Sequence, residues 1–201
     1  MGVYKFLPDN QFGQPFTYAY WENGFTEDEL DKIIQVGESF NLHRAGVGKL
    51  DENSDFSLYK HKRDSKISWI GLDAETEWIY NKLSIIVRNI NSDYYRFDLF
   101  GFHEDLQYTV YNKDGHFDYH MDLNIETDLP TRKLSCVLQL SDPEEYEGGN
   151  LLVYGEAGPV SIKKKRGFVV VFPSYLLHKV EPITSGVRKT LVSWITGPPF
   201  K

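Results

Sequence analysis

The sequence predicts an α+β fold, mainly β: a sandwich or jelly roll with two N-terminal helices packed on the outside of one sheet. Three observations predict it. From about Asp98 onward, eight short runs with β-branched and aromatic residues recur, broken by turn signals. Two stretches ahead of them carry apolar residues near a 3.6-residue period. Aromatic residues make up 15% of the chain, a high share, and many fall in the β-like runs. Helices first and strands afterwards is the order of an α+β fold.

The first helix is expected in FTEDELDKIIQVGESF, where Phe25, Leu30, Ile33, Ile34 and Val36 approach the helical period. Thr26 reads as its N-cap, with Glu29 three residues on completing a capping box. The second is expected in LDAETEWIYNKLSIIVRNI, whose Trp78, Ile79, Leu83, Ile86, Val87 and Ile90 form one apolar stripe. Between them, residues 44–66 are polar and Gly-bearing. They read as a long loop, with Tyr59, His61 and Arg63, that leads to a short strand near ISWI; such a loop is either a lid over a substrate or a plain insertion. The eight strands are expected in DLQYTVY, HFDYHMD, KLSCVLQLS, NLLVYG, PVSIK, GFVVVFP, LHKVEP and VRKTLVSWI. The breaks are NKDG, ETDLPT, DPEEYEGG, GEAG, KKKRG, PSY and TSG.

With 201 residues, no repeat and no linker, the chain reads as a single domain over 1–201. Residues 1–97 would supply a mostly helical supporting layer and the loop, and residues 98–201 the jelly-roll core. A net charge of −7 speaks against a general nucleic-acid binder. The basic run KKKR at 163–166 reads as a solvated turn, with a substrate or phosphate contact as the other option. Cys136, the one cysteine, lies in an apolar run and reads as a small buried strand residue, so no intrachain disulfide is expected. MGVYKFLPDNQFG has no apolar signal-peptide core and no stretch approaches a membrane span, so the cytoplasm is the expected location.

The chemistry concentrates in HFDYHMD, residues 116–122. On a strand, His116, Asp118, His120 and Asp122 share one face, and Phe117, Tyr119 and Met121 share the other. A polar strand face is ordinary solvated surface unless something else converges on it. A third histidine, His178, opens a strand downstream, and Arg188 follows ten residues later on the face shared with Thr190 and Val192. An arginine on an inward strand face is costly unless it meets an anion. Two histidines and a carboxylate suit non-haem Fe(II) with positions left open, and an arginine fork suits a carboxylate.

The segment Tyr111–Trp194 resembles the Fe(II)- and 2-oxoglutarate-dependent dioxygenases of the prolyl 4-hydroxylase-like branch. The family's Y-x(8)-H-x-D pattern reads as Tyr111, His120 and Asp122. That choice selects His120 and Asp122 over His116 and Asp118. Arg132 and Ser135, Gly148 and Gly149, KRGFVVVFPSYLLH and Arg188 follow in the family's order. The resemblance implies a double-stranded β-helix with the metal at one open end. It implies Fe(II) on His120, Asp122 and His178, and 2-oxoglutarate held by Arg188 and Tyr111, with Thr190 and Gln139 as further contacts. Dioxygen would be the second co-substrate and ascorbate a reductant. The retained Asp122 favours hydroxylation over halogenation. A prolyl or other amino-acid side chain in a peptide or protein is the expected substrate, with a free small metabolite as the alternative; neither nucleic acid nor membrane is expected. The chain would be a monomer or a homodimer formed through its helical face. His116 is an extra histidine near a hairpin turn that could instead tune the site. Other function classes are a cupin-like metal-binding module without oxygenase activity and a metal-dependent hydrolase, the latter lacking a general base beside the metal.

Overall fold

The computed structural model describes residues 16–46, 61–124 and 130–200. Most of the expected loop 44–66, including Tyr59, lies outside the described residues, so its reading as a lid or an insertion does too.

In chain order the elements are β1 (Ala19–Trp21), α1 (Glu27–Ser39), β2 (His43–Arg44), β3 (Arg63–Asp64), β4 (Lys66–Ile70), α2 (Glu77–Ile90), β5 (Gly101–Phe102), β6 (Leu106–Tyr111), β7 (His116–His120) and β8 (Thr131–Gln139). Then follow β9 (Tyr146–Gly148), β10 (Leu151–Gly155), β11 (Gly158–Ser161), β12 (Val169–Pro173), β13 (His178–Val180), β14 (Ile183–Gly186) and β15 (Arg188–Gly197). The major sheet runs β1-β12-β8-β15-β6-β4-β2, with β5 also paired to β15. The minor sheet runs β11-β10-β13-β7-β3, and β14 pairs with β9. All eight expected strands are present. The expected break TSG instead forms part of β14, because Ser185 and Gly186 pair with Glu147 and Tyr146 of β9.

Period-two alternation divides the major sheet into two faces. Leu134, Cys136 and Leu138 of β8, Val169 and Val171 of β12, and Leu191 and Ile195 of β15 face the helices, where they join Leu30, Ile33, Ile79, Leu83, Val87 and Ile90. Val137, Val170 and Phe172 face the minor sheet and pack with Leu151, Val153 and Val180. The helices therefore cover one face and the second sheet covers the other, as the sequence predicts.

Both helices follow from local chemistry. At α1, the Thr26 hydroxyl accepts from the Glu29 N–H at 3.3 Å, and the Glu29 carboxylate accepts from the Thr26 N–H at 2.8 Å, closing the capping box. Helix α2 starts at Glu77, one residue before its apolar stripe and later than the expected stretch, which begins at Leu72. Asp73 accepts from the Glu75 and Thr76 N–H groups and holds the preceding residues in a turn. KKKR is more than a solvated turn: Lys163 and Lys165 both reach Glu22 at 2.8 Å, and Arg166 reaches Asp31 of α1. The run ties Glu22, just after β1, and α1 to the turn before β12.

Strand β7 departs from simple alternation. His120 pairs with His178 and Phe117 with Val180, so three steps on β7 match two on β13. This β-bulge turns Phe117 to the same side as His120, and their rings stack with centroids 3.5 Å apart. Tyr119 and Met121, expected to share a face with Phe117, are exposed.

Candidate metal centre

The bulge aims His120 between the sheets. His178 opens β13 directly across from it, and their ring centroids are 4.1 Å apart. Asp122 lies just past the end of β7, where its N–H donates to the Ser174 carbonyl at 2.9 Å. The Asp122 carboxylate oxygens sit 3.6 Å from His120 Nε2 and 3.4 Å from His178 Nε2. One ligand atom from each of the three lies within 4.8 Å of those of the other two.

Hydrogen bonds orient each of them. His120 Nδ1 lies 2.7 Å from the Asp118 carbonyl oxygen, and His178 Nδ1 lies 2.9 Å from that of Leu176. Each Nδ1–H thus donates to backbone, which leaves Nε2 as the free lone pair facing the carboxylate. The Ser135 hydroxyl donates to Asp122 Oδ2 at 2.7 Å and lies 3.0 Å from the Ser174 hydroxyl.

The electrostatics favour a neutral imidazole beside an ionised carboxylate. Burial, and then the neighbouring His178, push the His120 pKa down to about 4. Burial disfavours charge on Asp122, yet His178, His120 and the Ser135 hydroxyl outweigh it and hold the carboxyl well below the usual range. Burial likewise opposes charge on His178, but the Asp122 carboxylate prevails and raises its pKa. Two neutral-capable imidazoles and one carboxylate form the donor set that non-haem Fe(II) takes, with room for further ligands. The residues fit that ion.

Behind the triad, β15 carries Arg188, Thr190, Val192 and Trp194 into the same cavity. Arg188 is 2% exposed, and its Nη2 donates to Gln139 Oε1 at 3.1 Å. Its guanidinium carbon lies 5.4 Å from the centre of the Tyr111 ring. Among the described residues no carboxylate pairs with it. Gly149, at φ +62°, permits this burial: a Cβ there would lie 2.2 Å from Ile183 Cδ1 and 3.2 Å from Arg188 Cδ.

The structure therefore brings together His120, Asp122, His178, Arg188, Tyr111 and Thr190 around one cavity, with Gln139 bound to Arg188. His116 stays out of it: Nδ1 is 2.9 Å from the Asp114 carbonyl and Nε2 3.2 Å from that of His61. Arg132 forks onto Glu104, stacks 3.9 Å over the Trp194 ring and donates to the Asp122 carbonyl at 3.3 Å. Besides apolar wall residues, sequence reasoning missed three lining residues with polar groups: Gln107, Trp194 and Arg63 as a cavity residue. Trp194 was accessible to it, because it shares the period-two face of Arg188. Arg63 was not, because nothing in KHKRDSK separates it from its basic neighbours.

Residues 106–196 match the sequence model of the 2OG-Fe(II) oxygenase superfamily. A PKHD-type hydroxylase of Aliarcobacter butzleri is 37% identical over 93 residues, covering 44% of this chain and 41% of that protein. The match thus spans about two fifths of that relative's length. Among solved structures, a Pseudomonas putida prolyl-4-hydroxylase aligns with TM-score 0.69 at 19% identity, covering 91% of this chain and 94% of that one. A Trichoplax adhaerens prolyl hydroxylase, in complex with a hypoxia inducible factor oxygen degradation domain peptide fragment, aligns with TM-score 0.71 at 16% identity, covering 90% and 84%. The fold is the jelly-roll type of these hydroxylases. No helix among the described residues is long and apolar enough to cross a membrane.

Proposed function

We propose, from the 2OG-Fe(II) oxygenase domain that spans residues 106–196, that this chain is an Fe(II)- and 2-oxoglutarate-dependent hydroxylase acting on a prolyl or other amino-acid side chain in a peptide or protein. One observation carries the reading: a buried arginine with no carboxylate partner among the described residues shares a cavity with two oriented imidazoles and a carboxylate.

His120, Asp122 and His178 would hold Fe(II) through Nε2, a carboxylate oxygen and Nε2. Ser135 fixes the Asp122 carboxylate for that task. Arg188 would take the distal carboxylate of 2-oxoglutarate, with Gln139 steadying its guanidinium and Tyr111 and Thr190 offering hydroxyl donors. When bound, Fe(II) with 2-oxoglutarate and dioxygen supplies the oxidising power for C–H hydroxylation, and the co-substrate leaves as succinate and carbon dioxide. Val137, Leu151, Val180 and Val192 give the cavity an apolar wall, which would disfavour water beside a bound substrate. Ascorbate would serve as reductant. The prolyl hydroxylase neighbours, one of them holding a peptide, support a peptide substrate over a free metabolite. The same reading takes 1–201 as one oxygenase domain, working in the cytoplasm as a monomer or homodimer.

The first test adds Fe(II) and then 2-oxoglutarate anaerobically. A weak visible charge-transfer band should require both. Arg188→Ala should raise the 2-oxoglutarate concentration needed at least tenfold while leaving Fe(II) affinity within a few fold. Tight Zn(II) binding with no band would favour a metal module without oxygen chemistry. Succinate release across peptide and metabolite panels would then identify the substrate.

A further inference from the structure

The cavity holds a second arginine that the proposed reaction leaves unused. Arg63, on β3, is 9% exposed and reaches across from the minor sheet to the major one. Nη2 donates to Gln107 Oε1 at 2.8 Å and Nε to Ser65 Oγ at 2.9 Å. Its guanidinium lies 4.5 Å from the centre of the Phe117 ring, the ring that stacks on His120. Both hydrogen-bond partners are neutral; the Asp122 carboxylate acts on Arg63 through space, but among the described residues no carboxylate forms an ion pair with it. A buried guanidinium so placed is costly unless an anion arrives.

Three further observations bear on that anion. The first is charge. Among the described residues, Arg63, Arg188 and Asp122 are the ionised side chains lining the cavity. With a divalent metal bound, the two arginines and the metal outweigh Asp122 by three positive charges. Dianionic 2-oxoglutarate removes two of them and leaves one. The second is position. Arg188 is anchored by Gln139 on β8, and Arg63 by Gln107 on β6; these strands flank β15, so the anchors lie about 10 Å apart across the sheet. The third is an orphaned donor. Trp194 lines the same cavity at 7% exposure, and among the described residues its buried indole N–H has no partner.

We infer that Arg63, assisted by the Trp194 indole N–H, receives a carboxylate carried by the primary substrate. The substrate class is then a carboxylate-bearing one: a peptide that ends at the hydroxylated residue or carries an acidic side chain next to it, or an amino acid with its own carboxylate. This rests on the oxygenase reading and narrows it. An internal residue flanked only by neutral groups would leave the guanidinium without its anion. The other source of the same chemistry is the C1 carboxylate of 2-oxoglutarate, and the test separates the two.

The test uses Mn(II)-loaded protein with saturating 2-oxoglutarate, without turnover. The probes are acid and amide pairs, N-acetyl-proline with N-acetyl-prolinamide and the alanine and lysine equivalents, followed by paramagnetic broadening of their proton signals. At least one acid should bind roughly tenfold or more tightly than its amide, the size of a charge-assisted hydrogen bond. Arg63→Gln should abolish the difference, Arg63→Lys should keep part of it, and Trp194→Phe should reduce it. If Arg63→Gln does not fold, Arg63→Lys and Trp194→Phe carry the comparison. Equal binding of acid and amide throughout would overturn the inference and leave the oxygenase reading intact, provided the Fe(II)–2-oxoglutarate band forms. Loss of 2-oxoglutarate affinity in Arg63→Gln as large as in Arg188→Gln would overturn it in favour of the co-substrate. Absence of the band in the unmodified protein would remove both readings.

Discussion

The Ser135 hydroxyl contacts no candidate metal position itself, yet it fixes the carboxylate that would. Ser135→Ala removes the 2.7 Å hydrogen bond to Asp122 Oδ2. Supporting bonds of this kind are worth about 10- to 100-fold in metal affinity, and Co(II) titration of the variant should show a loss in that range with the fold retained. The histidines make a second prediction at this scale. Metal binding requires neutral imidazoles. Burial, then His178, keep His120 neutral down to about pH 4, so it has no proton to lose near neutrality. His178 is different: although burial works against its charge, Asp122 raises its pKa above the ordinary histidine value. Metal uptake at pH 6 should therefore release about one proton, the release should fade as pH rises past the raised pKa, and the apparent affinity should drop as pH falls. Calorimetry in buffers of different ionisation enthalpy reads the proton count; no pH dependence would refute the pairing of His178 with Asp122.

Among the elements, legibility in the sequence depended on how local the cause was. The Thr26–Glu29 capping box, the α2 stripe and the eight strands are set by neighbours in sequence and were readable. The β7 bulge was not, because it arises from the register between β7 and β13, which no single strand records. It explains why alternation placed His120 correctly but sent Phe117 to the wrong side. Strand β14 was hidden for the same reason: TSG has turn composition, and only its pairing with β9 makes it a strand. Arg63 joined the cavity through a cross-sheet reach to Gln107, another long-range cause. The approach of α1 to the sheet rests on one glycine. A Cβ on Gly37 would lie 2.3 Å from the Tyr108 ring, and the Gly37 carbonyl accepts from the Ser68 hydroxyl at 2.6 Å. Helix propensity alone would make Gly37→Ala stabilising by up to about 1 kcal/mol. Overpacking should win, for a net loss of about 1–2 kcal/mol, measured as a lower urea midpoint.

At the scale of the whole molecule, the major sheet serves two layers at once. Consecutive residues of β8 make the division plain: Ser135 faces the metal ligands, and Cys136 faces the helices. Cys136 is the one thiol of the chain. It is 1% exposed, and burial pushes its pKa up to about 12. A thiol reagent needs both access and thiolate, so the native protein should be inert to it and react only through opening. This makes the cysteine a built-in clock on the far side of the sheet from the chemistry. If the helical layer and the metal layer open as one unit, Co(II) at a hundred times its Kd stabilises the closed form by about 2.7 kcal/mol and slows labelling about 100-fold. A labelling rate indifferent to metal would mean that α1 and α2 lift from the sheet while the site stays closed. One alkylation experiment, with no substrate in hand, thus reads whether the two faces of a single sheet share one fate.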